Sequence, residues 1–327
     1  MEDKFSVRTD LALESYQMNK DSNLDGIEIK TQSFDDIQVT IVKITNANGE
    51  KKLSKPIGNY ITIECPKLVK NNVKYREQII KILSDNINKL LENKKHDNVL
   101  IIGLGNWNIT PDALGPKVIS KVLVTRHIKN FIPDELKNSV RCVSAISPGV
   151  LGITGLETFE VVKGICEKTN PDLIFVIDSL AARSSSRINS TIQLSNTGIS
   201  PGAGMGNKRV ALDKKTLGSE IISIGVPTVI DAATLVNDTM DKILDAMRDA
   251  CEKNFERDFL DTLNNIDSMQ KYSMIKNILD PYEENMFVTP KEVDEVIERL
   301  SNIIANAINI SLHNSINLND INRFICK

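Results

Sequence analysis

Histidine is scarce in this chain. Among 327 residues there are three, His96, His127 and His313, and none lies beside the segments that carry candidate chemistry. A Ser-His-Asp or Cys-His arrangement is hard to assemble from so few. The five cysteines (Cys65, Cys142, Cys166, Cys251, Cys326) are scattered, odd in number and never in a CxxC pair. That pattern speaks against a disulfide framework or a zinc site and for reduced thiols in a cytoplasm. A basic excess is missing too: 40 Lys and Arg against 43 Asp and Glu give a net charge of -3, which argues against direct nucleic-acid binding. No apolar run approaches the roughly 18 residues of a membrane span. The opening MEDKFSVRTD mixes charges around no apolar core, unlike a secretory signal. What remains, 41% hydrophobic and 25% charged residues, is ordinary for a globular protein able to bury a sizeable core.

The apolar patterning predicts alternating strands and helices. Residues 1–36 are polar and without period, an arm rather than a core element. IQVTIVKI (37–44) and NYITIECP (59–66) alternate as strands do, with a turn-rich stretch around Asn46–Lys52 between them. Helical spacing of Ile79, Ile80, Leu83, Ile87, Leu90 and Leu91 predicts an amphipathic helix over 76–93. Near-continuous apolar runs at 97–103 and 173–178, and again at 221–227, look like strands covered on both faces, as in a parallel sheet. A further strand is expected near 140–146, and a helix from Gly115-Pro116 through His127. Capping boxes are expected at Thr154–Glu157 and Thr289–Glu292. From about 236 the chain reads as helical, with 258–287 irregular, an insertion or a peripheral helix pair. The order predicts an α/β fold with a doubly wound sheet and additional C-terminal helices.

Two aspartates follow the apolar runs. VLIIGLGNWNITPDALGP (99–116) breaks at Gly103 and Gly105 and reaches Asp112, and LIFVIDSLAARSSSR (173–187) runs into Asp178. In parallel sheets ligands bind beyond the carboxyl ends of strands, so both could face one crevice and share a proton, as acid–base work on an amide or ester requires. Either could instead be a helix cap or turn residue. GLGNWN lacks the third glycine and the later acidic residue of a dinucleotide fingerprint. SNTGISPGAGMGNKR (195–209) lacks the ending of a phosphate-binding loop. Arg183 and Arg187 stand in a serine-rich stretch, either a solvated loop or a carboxylate site, since arginine grips carboxylates through paired hydrogen bonds.

Taken together these segments resemble the germination protease (spore protease) family of endospore-forming bacteria. The resemblance rests on SVRTDLALE (6–14), GLGNWNITPDALGP (103–116), SPGVLGITGLET (147–158), VIDSLAAR (176–183), TGISPGAGMGNKR (197–209) and IGVPTVIDAAT (224–234). It implies a three-layer sheet similar to that of hydrogenase-maturation endopeptidases. It also implies an endopeptidase that degrades small acid-soluble spore proteins during germination, assembled as a homotetramer in the cytoplasm of the forespore or spore core. The family's two essential aspartates fall on Asp112 and Asp178. Its self-cleavage motif falls on Asp10-Leu11-Ala12-Leu13-Glu14, implying a propeptide of residues 1–10, cleavage at Asp10–Leu11, and one peptidase domain over 11–327. Asp10 and Glu14 flank an apolar Leu11, so the complementary site should offer cations. Arg183, Arg187, Lys208 and Arg209, in the two flexible motifs, are the candidates for binding substrate carboxylates. No cofactor, metal, nucleic acid or membrane is expected. The alternatives are a metal-assisted maturation-type endopeptidase and a non-catalytic nucleotide-binding or regulatory module.

Overall fold

The computed structural model of the protein describes residues 9–19, 25–68, 72–92, 94, 96–131, 133, 139–200, 210–254, 275, 286–313 and 316–317. The stretch around 258–287 falls almost wholly outside those residues, as do Lys208 and Arg209.

Nine strands form one mixed sheet: β1 (Ile27–Phe34), β2 (Ile37–Ile44), β3 (Gly58–Glu64), β4 (Asn98–Gly103), β5 (Cys142–Ile146), β6 (Leu173–Ala182), β7 (Thr191–Ser195), β8 (Glu220–Asp231) and β9 (Phe287–Val288). Their order is β1-β2-β3-β7-β8-β6-β4-β5, with β9 on β8. The α/β class is as expected, but the sheet is parallel in one half only. β8, β6, β4 and β5 run parallel, and β1, β2, β3, β7 and β8 pair antiparallel.

Alternation along the parallel strands feeds two cores, which is why those runs are apolar throughout. Val99, Ile101, Phe175 and Ile177 point into the larger core, with the helices Val73–Leu91 and Val293–Leu312. Leu100, Ile102, Ile174 and Val176 point the other way, against Val162 and Cys166 of the helix Thr158–Thr169. Each face is closed by helices, giving three layers. A third cluster gathers Val42, Ile44 and Tyr60 of the antiparallel half with Leu53 and Ala12.

That third cluster corrects the reading of the N-terminal region. Residues 1–36 are not merely an arm: they contain the helix Ala12–Met18 and β1. Leu11 and Ala12 are fully buried. The segment reads as polar because only a few of its residues pack, and their partners lie far along the chain. Several local expectations fail for the same kind of reason. Asn46–Lys52 is no turn; Asn46 caps the helix Ala47–Leu53 by accepting from the Gly49 N–H. The helix at Gly115 spans only Leu114–Ile119 instead of reaching His127. Thr154 ends a short helix, closed by Gly155 in the left-handed region, and the box pairing lies three residues on, where Glu160 accepts from the Glu157 N–H at 3.1 Å. Thr289 caps nothing; its hydroxyl donates to the Thr228 carbonyl at 2.8 Å, tying β9's flank to β8. The strands β6 and β8 run several residues past their expected ends, and β7 is additional.

Candidate active site

β4 ends at Gly103, and the chain turns sharply enough to need small residues at three places. A Cβ on Gly103 would lie 2.3 Å from the Gly115 carbonyl, and one on Gly115 would lie 2.2 Å from the Leu104 carbonyl. Gly105 has a φ of +111°, and a Cβ there would meet the Asp112 carbonyl at 2.0 Å. This close approach folds the loop over the strand end and delivers Asp112, the last residue of the single turn Thr110–Asp112. Its Oδ2 accepts from the Asn106 N–H at 2.8 Å, and its own N–H donates to the Ile109 carbonyl at 2.8 Å. The main chain thus holds the carboxyl in place.

Asp178 sits within β6, paired with Gly225 of β8, rather than at a strand terminus as its sequence suggests. It is buried, and its Oδ1 accepts from the Ser179 N–H at 2.9 Å. Asp112 and Asp178 line one cavity of about 520 Å³, together with Asp10, Lys55, Gln193 and Thr228. The hydroxyls of Ser179 and Thr228, which also line it, are buried without a hydrogen-bond partner. Unsatisfied buried hydroxyls leave polar capacity for something that enters the cavity.

The N-terminal segment contributes Asp10 to the wall of that cavity. Asp10 pairs with β6 through its N–H to the Ala181 carbonyl at 3.2 Å, while its Oδ2 accepts from the Ala181 N–H at 2.9 Å. The Gln193 carboxamide, on β7, brackets Leu11: Nε2 donates to the Asp10 carbonyl at 3.1 Å, and Oε1 accepts from the Ala12 N–H at 2.7 Å. The Leu11 N–H donates to the Thr9 hydroxyl at 3.1 Å. Burial pushes the Asp10 carboxyl above its ordinary pKa, with the Lys55 cation opposing. Burial likewise pushes Lys55 below its ordinary value, against the pull of Asp10. The Lys55 Nζ donates to the Thr9 carbonyl at 3.4 Å.

Glu14 is gripped a helical turn further on. It accepts from the N–H groups of Arg183 at 2.8 Å and Ser184 at 3.0 Å, from Arg187 Nη1 at 3.2 Å, and from the Thr9 hydroxyl. Arg187 also donates through Nε to Glu64 at 3.0 Å. Of the expected cations, Arg187 therefore meets a carboxyl of the N-terminal motif. Arg183 meets it only through its backbone, its guanidinium lying 3.8 Å from Asp238. Lys55 and Gln193 were not legible as site residues. Lys55 lies between the stretch around Asn46–Lys52 and the strand at 59–66, with no motif to mark it. The one available signal for Gln193 is a glutamine in the middle of the wholly buried strand TIQLS. Among the described residues no three His, Cys, Asp or Glu side chains gather where they could hold a metal ion. No described helix is long and apolar enough to cross a membrane.

Two carboxyls thus line one cavity with Asp10 of the N-terminal motif. Comparison with known proteins gives the class of protein. A family model described as germination protease matches residues 7–254 and 246–325. The chain is 48% identical to the germination protease of Clostridium tetani over 98% of its own length and 99% of the relative's. It is 41% identical to that of Bacillus cereus, over 96% and 95%. A [NiFe] hydrogenase maturation protease, HycI from Thermococcus kodakarensis, aligns over 68% of this chain and 98% of that one at 17% identity, with a TM-score of 0.33, a likeness too loose to build on. The chain belongs to the germination protease family and is a peptidase.

Proposed function

We propose that this chain is an aspartate-dependent, sequence-specific endopeptidase that starts the degradation of small acid-soluble spore proteins during germination. In this reading it is made as a precursor that cuts itself between Asp10 and Leu11, and it works as a homotetramer in the cytoplasm of the spore core. Residues 1–10 are the propeptide, and 11–327 form the peptidase domain.

One observation carries the reading. Asp10 lines the same cavity as Asp112 and Asp178, and both polar groups of its peptide bond to Leu11 are hydrogen-bonded. Hydrolysis needs a base to take a proton from water and an acid to give one to the leaving amine. A carboxyl pair holding one proton supplies both: the ionised member accepts the water's proton as oxygen attacks the Asp10 carbonyl carbon, and the protonated member donates to the Leu11 nitrogen as the C–N bond breaks. Selection follows from the same contacts. An acidic residue before the cut lies beside Lys55, and a glutamate at the position of Glu14 meets Arg187 and the two N–H groups of 183 and 184. In a substrate protein the same pattern, an acidic residue, an apolar one and a glutamate three further on, would engage the same groups. Lys208 and Arg209 remain candidates for the same role.

Incubating the purified full chain and sequencing the product tests this. Conversion is expected to be first order, independent of protein concentration, with a new N-terminus at Leu11 and no loss of rate in EDTA. Asp112→Asn and Asp178→Asn should each slow it by about 10²–10⁴-fold or more while leaving the melting curve unchanged. A folded Asp178→Asn chain that still converts at near the normal rate ends the two-aspartate assignment. Loss of rate in EDTA with a stoichiometric metal in the untreated protein means the metal-assisted mechanism instead.

A further inference from the structure

Gln193 has no place in the two-carboxyl scheme, yet it bonds the carbonyl of the peptide to be broken. It is 9% exposed, so its carboxamide has little water to turn to and must find partners within the protein. Those partners are main-chain groups on either side of Leu11, the Asp10 carbonyl and the Ala12 N–H, which belong to successive peptide units. Because a carbonyl can only accept and an N–H can only donate, the two contacts fix which end of the carboxamide is which. The nitrogen must face the Asp10 oxygen. That oxygen belongs to the Asp10–Leu11 peptide.

We propose that Gln193 is a catalytic residue whose Nε2 stabilises the negative charge that develops on the carbonyl oxygen of the scissile peptide. This rests on the reading that Asp10–Leu11 is the bond cleaved. As water adds to the carbonyl carbon, the π electrons of the C=O bond move onto oxygen, and that oxygen strengthens the hydrogen bond it already accepts from Nε2. When the C–N bond breaks, those electrons return to re-form the C=O, the Leu11 nitrogen takes its proton from the carboxylic acid of the pair, and the carboxamide is left unchanged. A donor fixed beforehand in a water-poor site costs no reorganisation as the charge appears. The Oε1 end fixes the donor: bonded to the Ala12 N–H at 2.7 Å, it prevents the carboxamide from rotating away from the oxygen it serves. Neither aspartate supplies this, since an ionised carboxyl has nothing to donate and the protonated one is committed to the leaving amine.

Self-conversion of the full chain, followed as a first-order rate, tests the assignment without a KM component. Gln193→Ala should convert about 10²–10³-fold more slowly, the usual effect of losing one such donor. Gln193→Glu keeps the shape but sets an acceptor against the oxygen when ionised and a donor when protonated. Its rate relative to the wild type, measured pH by pH, should be lowest near neutrality and rise as the pH falls through the carboxyl range. A residue that merely braces β7 would show no such rise. Conversion of Gln193→Ala within a few-fold of the wild type, or a flat Gln193→Glu to wild-type ratio, overturns the proposal. If Gln193→Ala does not fold, the pH ratio of the isosteric Gln193→Glu decides alone. A wild-type chain that converts at another bond overturns the cleavage-site reading and this inference with it. A wild type that yields Leu11 while the Gln193 variants behave normally overturns this inference only.

Discussion

Four donors converge on the Glu14 carboxyl, which is 2% exposed, and the Arg187 guanidinium is the one that carries charge. Arg187 is itself shielded and divided between Glu14 and Glu64, so it joins the N-terminal segment to the end of β3. Removing one partner of a buried pair usually costs 3–5 kcal/mol, because the other is left without compensation. Here two backbone N–H groups and a hydroxyl remain on Glu14, so Arg187→Met is expected at the lower end, about 3 kcal/mol. The same variant should loosen the N-terminal segment and slow conversion. Denaturant unfolding of Arg187→Met, Glu14→Gln and the double variant checks this. A clear positive coupling between the two substitutions is expected, and strictly additive losses would mean that the pair does not act as a unit.

At the scale of elements, the loop after β4 works by backbone approach, so its weak point is a glycine rather than the aspartate. Gly105→Ala places a methyl 2.0 Å from the Asp112 carbonyl and 3.0 Å from its Oδ1, at a φ of +111°. The loop must move to accept it, and Asp112 moves with the loop. Overpacking of this kind costs about 1–3 kcal/mol. A melting curve should register that loss, and the conversion rate should fall out of proportion to it, because the enzyme that stays folded carries a displaced carboxyl. Normal conversion by Gly105→Ala would show that Asp112 does not depend on this turn. The same loop explains what the sequence made legible. Runs such as VLIIG and LIFVI announce strands buried on both faces because both faces supply apolar neighbours, and glycines close behind a strand announce a sharp turn. The TIQLS strand and the helix at Ala12 give no such signal. β7 is five residues long with a glutamine at its centre, and Ala12, next to the fully buried Leu11, is buried by a cluster drawn from β2, β3 and the helix after Asn46. Long-range pairing of that kind leaves no local period. The candidate site was legible where an apolar run leads into an aspartate, at Asp112 and Asp178, and illegible where distant segments meet, at Lys55 and Gln193.

Across the whole molecule, the helix Val293–Leu312 is fastened to the segment after Ile119. The Leu123 N–H donates to Asn309 at 2.9 Å, and Lys121 bonds Glu298 at 2.6 Å. At the end of that helix His313 is fully buried, its backbone bridged to Val140 just ahead of β5. Burial pushes the imidazole down to about 4 from an ordinary 6.5, with Arg141 adding to the effect. Between those values the unfolded chain takes up a proton that the folded chain refuses. His313 therefore leaves stability intact above pH 6.5 and erodes it as the pH falls towards 4, by about 1.4 kcal/mol per unit. Asp10 acts in the opposite sense on the docked segment. Its raised pKa means that docking is favoured below the ordinary value of 3.8 and weakens as the pH rises to the docked value, so acid tightens the site while loosening the scaffold behind it. The two effects separate by substitution. Between pH 7 and pH 5 the wild-type protein should lose about 2 kcal/mol more than His313→Leu in urea unfolding, whereas Asp10→Asn should leave that difference intact. Equal losses in the wild type and His313→Leu would show that the imidazole takes up its proton in place, and that the acid limit of this fold is set elsewhere.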